Sequence, residues 1–199
     1  MMIALPARQS FFSKLSRIKD ESFSLQIVID AEARYNKLLT SSESHPKDQN
    51  KMIVKRVLPL FSIYQSLKSQ NIGQEEAILI IEILLKESFF RTQLSGIRYI
   101  NRVFREPFPV IKPALRLMMH FSDLPAGQEI KQDDKNCFTI NIYQCFIHDT
   151  LKKLEAPELT PVFCATDDWL SEAMPKIQLQ RTQTLGRGGE MCDFCWCRK

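Results

Sequence analysis

Glycine, histidine and long apolar runs are scarce in this 199-residue sequence, and each shortage closes off a class of protein. No apolar stretch approaches the roughly 18–20 residues needed to span a bilayer. Ala77–Ile81 is cut by Glu82, and Ile83–Leu85 by Lys86. The opening MMIALPARQSFFSKL has no positive side chain ahead of its short apolar stretch, and Pro6 interrupts it, so no secretory signal is expected. Three histidines are too few for zinc chemistry built on several of them. His45 in a polar loop and His120 at the end of an apolar helix read as structural or solvated. Phosphate-loop, dinucleotide-fingerprint, HExxH and GxSxG motifs are all missing. A net charge of +4 is too small to argue for nucleic acid. The expectation is a cytoplasmic protein with no membrane, nucleic-acid or cofactor requirement, whose cysteines are reduced thiols.

What is present is unevenly placed. All six cysteines lie from Cys137 onward, and three of the six glycines fall within Gly186–Gly189. The front of the chain reads as helices. Ser22–Leu39 puts Phe23, Ile27, Ala31, Tyr35 and Leu38 on one face. The segment Ser41–Asn50 is a polar loop with Pro46. Lys51–Ser69 is again helical by spacing, with a kink or break expected at Pro59. Asn71-Ile72-Gly73 is a stop, and Glu75–Ser88, apolar over much of its surface, is expected in the middle of the helical layer. Thr92 to about Arg105 forms a further helix ending before Pro107, and Ala114–Phe121 a short one before a turn at Asp123–Gly127.

The pattern then changes. Cys137–Tyr143 alternates with period two, Val162–Ala165 reads as a short buried strand, Ile177–Thr184 alternates again, and Met191–Arg198 reads as a final strand. The last two make a hairpin around the glycines, and Phe146–Leu154 a short helix. The fold class is therefore α+β, an N-terminal helical layer followed by a small mostly antiparallel sheet. Residues 1–45 are expected as an N-terminal arm and 46–199 as a single α+β domain, with helices over 50–122 and the sheet part over 136–199.

Candidate chemistry collects in the second part. The CDFCWC run invites a metal reading, but period two sends Cys195 and Cys197 to one strand face and Cys192 to the other, so no metal is assigned and Cys137, Cys195 and Cys197 read as filler. Cys145 and Cys164 sit near strand ends, where a thiol can face a pocket. Asp167 follows Cys164 by three residues; Asp167 or Asp168 would otherwise simply cap a helix over Trp169–Ala173. Arg181 shares a face with Ile177 and Leu179, and a buried arginine needs a carboxylate: Asp167, Asp193 or a ligand. Tyr143 and His148 flank Cys145, and Thr182 and Asp193 flank the glycine turn.

The stretches FCATDDW (Phe163–Trp169) and RTQTLGRGGEMCDF (Arg181–Phe194) resemble the L-2-amino-thiazoline-4-carboxylic acid hydrolase family of bacterial proteins. Val57–Ile81 is similar to that family's helix–Gly–helix segment, and Asn141–Cys164 to its Cys-aromatic strand end. The resemblance covers about residues 50–199. Where the family usually continues with a basic and an aromatic residue, this sequence has Cys195-Trp196-Cys197. The resemblance implies a hydrolase that opens a 2-aminothiazoline ring to N-carbamoyl-cysteine, a small molecule being its substrate. Catalytic candidates are Cys164, Asp167, Cys192 and Cys145, with Arg181, Thr182, Asp193, Tyr143 and His148 for substrate binding. Activated water and a cysteine nucleophile both remain open. The other reading is a non-catalytic small-molecule or metal-binding module resembling the 4-vinyl reductase domain. A third is an interaction subunit, or a homodimer, joined through the apolar stripe of Ser22–Leu39.

Overall fold

In the computed structural model, described for residues 3–41, 47–121 and 127–199 (without the side chains of 41, 47–48 and 118–121), the chain divides into two units, Met1–Arg91 and Thr92–Lys199. His45, the His120 side chain, and most of the expected loop and turn at Ser41–Asn50 and Asp123–Gly127 lie outside the described residues.

The first unit is helical. Helices α1 (Arg8–Ile18) and α2 (Glu21–Ser41) comprise most of the expected arm. The α2 stripe of Ile27, Ala31 and Tyr35 is buried within this unit, and the Tyr35 hydroxyl donates to the Val54 carbonyl at 3.1 Å. The stripe is thus covered inside the unit, while Leu25 and Ile29 are exposed. After α3 (Lys47–Met52), a π-helical turn at Ile53–Val57 leads into α4 (Leu58–Ser69). Pro59 sits in the first turn of α4, where its missing N–H costs least, and the expected break takes the form of that widened turn. Nine of the twelve α4 residues are buried, so α4, rather than the next helix, is the central one. Asn71, at φ 59°, ends it in a left-handed cap: Ile72 N–H donates to the Leu67 carbonyl and Asn71 N–H to that of Lys68. Helix α5 (Gln74–Leu85) buries one face through Ala77, Ile80, Ile81, Leu84 and Leu85 and leaves Leu79 exposed. Glu75 and Glu76 stand at its positive end.

The second unit carries the chemistry. Helix α6 (Arg91–Val103) starts at the boundary and α7 (Phe108–Phe121) follows. Strands β1 (Gln128–Asp133), β2 (Cys137–Ile142), β3 (Ile177–Gln180) and β4 (Cys192–Arg198) form one antiparallel sheet in the order β1-β2-β4-β3. The α+β reading holds, and the final hairpin is present as the β3–β4 pair. On the buried face Phe138 opposes Trp196, Ile140 opposes Phe194 and Ile142 opposes Cys192. The Phe194 and Trp196 rings stack at 5.1 Å. The opposite face carries Cys137, Thr139 and Asn141 against Cys197, Cys195 and Asp193.

Two expectations are corrected here. The segment Val162–Ala165 is helix, part of α9 (Thr160–Glu172), not strand. Pro161 occupies its first turn, a position proline favours, and Val162, Phe163, Trp169 and Leu170 repeat with helical period on its buried side. Asp167 and Asp168 therefore lie inside a helix rather than capping one. The second correction concerns redox state: Cys137 and Cys197, directly opposed across β2 and β4, are joined by a disulfide instead of being filler thiols. No described helix is long and apolar enough to cross a membrane.

Candidate active site

Three pieces of backbone converge on one cluster. Helix α8 (Phe146–Lys153) begins at Cys145, its N-cap residue, in extended conformation. Helix α9 presents Cys164 and, three residues on, Asp167, one turn further along the same face. The segment leaving β3 supplies Arg181, then a 3-10 turn (Leu185–Arg187) and Gly188 in the left-handed conformation at φ 82°, before β4 returns with Cys192. Gly186 packs so tightly on α9 that a Cβ there would stand 2.7 Å from Thr160 Cγ2 and 2.8 Å from Cys164 Sγ.

Arg181 organises this cluster. Its side chain is only 6% exposed, so its charge needs partners. Nη2 donates to Asp168 Oδ1 at 2.6 Å, and Nη1 to Asp167 Oδ2 at 3.2 Å and the Cys164 carbonyl at 3.3 Å. The Phe194 ring lies under the guanidinium at 5.6 Å. Of the carboxylates that could meet Arg181, the protein supplies Asp167 and adds Asp168; Asp193 is engaged elsewhere. It accepts the Thr182 and Gln183 amides at 2.9 and 2.8 Å and the Thr182 hydroxyl at 2.5 Å, so Thr182 and Asp193 brace the loop together. Burial pushes the Asp193 carboxyl up, but these donors outweigh it and hold it below the usual range.

Asp167 goes the other way. Burial, aided by the like charge of Asp168, raises its carboxyl to about 7 against the pull of Arg181. The longer of the two ion-pair contacts falls to Asp167, consistent with that balance. All three thiols are raised too. Burial pushes Cys164 to about 12, with Cys192, Asp167 and Cys145 adding to it and Arg181 opposing. Burial takes Cys192 to about 11, although its sulfur accepts the Leu185 amide at 3.3 Å. Cys145 is raised by burial while the His148 and Ile147 amides at the start of α8 pull it down. Near neutrality these are protonated thiols.

Cys145, Cys164, Cys192, Asp167 and Arg181 are thus brought close enough to act on one another's charge. Tyr143 is turned away: it is exposed, and its hydroxyl donates to Glu129 Oε2 on β1 at 3.0 Å. His148 stands on the first turn of α8 after Cys145, with Nδ1 buried and without a partner among the described residues.

A cleft of about 250 Å³ opens beside the cluster, walled by Arg181–Thr184, Arg187 and the glycines Gly188 and Gly189. Two of its residues escape sequence reasoning. Arg187 has a side chain 59% exposed and, among the described residues, a 3.5 Å contact to Asp168. Thr184 is buried, with a hydroxyl that has no partner among the described residues. An arginine in a glycine-rich turn was a legible signal; the buried hydroxyl had none. Among the described residues, the side chains grouped closely enough for a metal ion are Cys137, Cys195 and Cys197, on the opposite sheet face.

No curated protein matches the chain. Among solved structures, the Fe(II) unliganded H-NOX protein from K. algicida aligns over 96% of this chain and 95% of its own, at 10% identity and a TM-score of 0.34, a likeness too slight to carry an argument. The sequence-family comparison is decisive in a way the structural one is not. The model of the L-2-amino-thiazoline-4-carboxylic acid hydrolases matches residues 50–196, a span that takes in α4, strands β1 to β3, most of β4 and every member of the cluster, and the chain belongs to that family.

Proposed function

We propose that this protein is a hydrolase that opens a small cyclic amidine of the 2-aminothiazoline-4-carboxylate kind, using water activated at Asp167. Membership of a family named for such a hydrolase supports the reaction class. The observation that carries the assignment of residues is that Arg181 belongs both to the cleft wall and to the Asp167 ion pair, so the cleft and the carboxylate share a residue.

The chemistry follows from protonation states. A carboxyl at about 7 is part ionised at neutral pH, where a general base is most effective. Thiols at about 11 and 12 are poor nucleophiles there, which favours water over Cys192 or Cys164. Water adds to the electrophilic amidine carbon while Asp167 takes its proton. The ring C–S bond then breaks, and the sulfur leaves as a thiolate that takes up one proton. With a reference pKa of about 8.5, that leaving group needs little acid assistance. Ring plus water gives the open N-carbamoyl thiol with no other reactant.

Arg187, mostly exposed at the cleft, would receive the substrate carboxylate. Arg181 positions Asp167, and Asp193 with Thr182 holds the loop. A volume of about 250 Å³ lies just below the roughly 300–1,000 Å³ of drug-sized pockets, as a substrate of one small ring requires. The test is steady-state turnover: Asp167→Asn should lower kcat by roughly 10²–10⁴-fold, while Cys164→Ser and Cys192→Ser each stay within several-fold of the parent. Loss of turnover in either serine variant, with the fold intact, would move the nucleophile from water to sulfur.

A further inference from the structure

Three sulfurs lie on the sheet face opposite the stacked Phe194 and Trp196 rings. Cys137 on β2 and Cys197 on β4 are directly opposed, with Cα atoms 4.2 Å apart, the close spacing of a pair without mutual backbone hydrogen bonds. Cys195, two residues back along β4, projects from the same face, and its Sγ lies 3.5 Å from that of Cys197. All three sulfurs fall within 4.8 Å of one another. A disulfide alone needs two cysteines, and the third is held in place: the Thr139 hydroxyl, opposite it on β2, donates to Cys195 Sγ at 3.2 Å. The cysteines are only partly covered, and Gln178 and Gln180, their neighbours across β3, are exposed.

We infer that, once the Cys137–Cys197 bond is reduced, Cys137, Cys195 and Cys197 form a three-thiolate site for one thiophilic metal ion of the Zn(II), Cd(II) or Cu(I) class. The distances suit it. Metal–sulfur bonds of about 2.3 Å set ligand sulfurs a little under 4 Å apart. The Cys195–Cys197 separation is already near that, and only the bonded pair has to open, by side-chain rotation on a fixed backbone. Three sulfur ligands with no histidine or carboxylate select soft or borderline ions over magnesium or calcium. Thr139 supplies the hydrogen bond to a ligand sulfur that steadies such a site. The site is gated by redox state. A small dithiol reductant gives two electrons and two protons to the disulfide, leaving two protein thiols and its own cyclic disulfide. A divalent ion then displaces three protons from the three thiols.

The experiment uses the full chain, reduced with a trialkylphosphine, desalted without oxygen and titrated with Cd(II). An ultraviolet thiolate-to-cadmium band should rise to a plateau at one ion per chain. Disulfide-oxidised protein should give none. Cys195→Ser should weaken binding at least tenfold, while a Cys145→Ser, Cys164→Ser, Cys192→Ser triple variant should keep it. Alkylation with mass mapping gives a second readout needing no variant: one equivalent of Cd(II) should protect Cys137, Cys195 and Cys197. Absence of the band in reduced protein, protection of a different set of cysteines, or full-strength binding in Cys195→Ser would each overturn the inference.

Discussion

Asp167→Asn tests the electrostatics of the site through stability, without any substrate. The carboxyl moves from an ordinary value of 3.8 to about 7 on folding. Between those values the native state holds a proton that the unfolded chain has released, so stability must fall as pH rises. About three pH units at 1.36 kcal/mol each amount to as much as about 4 kcal/mol. Below pH 4 Asp167 is neutral in both states, and asparagine mimics it. The wild type and the variant should then be nearly equally stable. As pH rises from about 4 to 7, the wild type should lose up to about 4 kcal/mol relative to Asp167→Asn, with no further change above the folded value. Both tryptophans, Trp169 and Trp196, are buried in the second unit. Tryptophan fluorescence during urea unfolding therefore reports on the part of the chain that contains the site, and taking the difference between the two proteins cancels the titrating groups that do not interact with Asp167. A difference that stays flat across pH 4–8, or grows in favour of the wild type, would refute the argument that burial outweighs Arg181 at Asp167.

Other outcomes follow from packing and charge. Gly186→Ala pushes a methyl group into Thr160 and Cys164 and should cost about 1–3 kcal/mol by urea unfolding, with Thr160→Ser restoring part of it. Trp196→Ala empties the centre of the inner sheet face and should cost about 3–5 kcal/mol. Arg187→Ala should raise KM for the thiazoline carboxylate with little change in kcat, the signature of lost binding uniform to ground and transition states. At pH 7.5, Cys164 and Cys192 should alkylate far more slowly than a free small thiol, as followed by mass spectrometry, and speed up only on unfolding.

Much of the fold was legible because its signals are local. The α2 stripe, the Asn71 stop, the alternation of β2 and β4 and the turn at the glycines each lie within a few residues. Strand β1 was not, because QEIKQD offers one apolar residue and lies almost wholly exposed at the sheet edge. The α9 error has a similar root. Over the four residues Val162–Ala165, a buried helix and a buried strand look alike, and Pro161 suits the start of either. For the site, residue types were readable and distances were not. Cys145, Cys164, Cys192, Asp167 and Arg181 could be nominated from sequence, but Asp168 as the closer partner of Arg181 and the bond between Cys137 and Cys197 depend on helix phase and strand register. Tyr143 shows the same limit from the other side: adjacent in sequence to the Cys145 segment, it is sent by strand parity to the face of Glu129.

The most direct test of the account is a turnover assay with 2-aminothiazoline-4-carboxylate, following release of the product thiol, on the wild type, Asp167→Asn and Cys192→Ser side by side, each shown to be folded. The account predicts ring opening by the wild type and by Cys192→Ser at similar rates, and a loss of at least about a hundredfold in Asp167→Asn. Equal turnover by Asp167→Asn and the wild type, or no ring opening by the wild type at all, would contradict it.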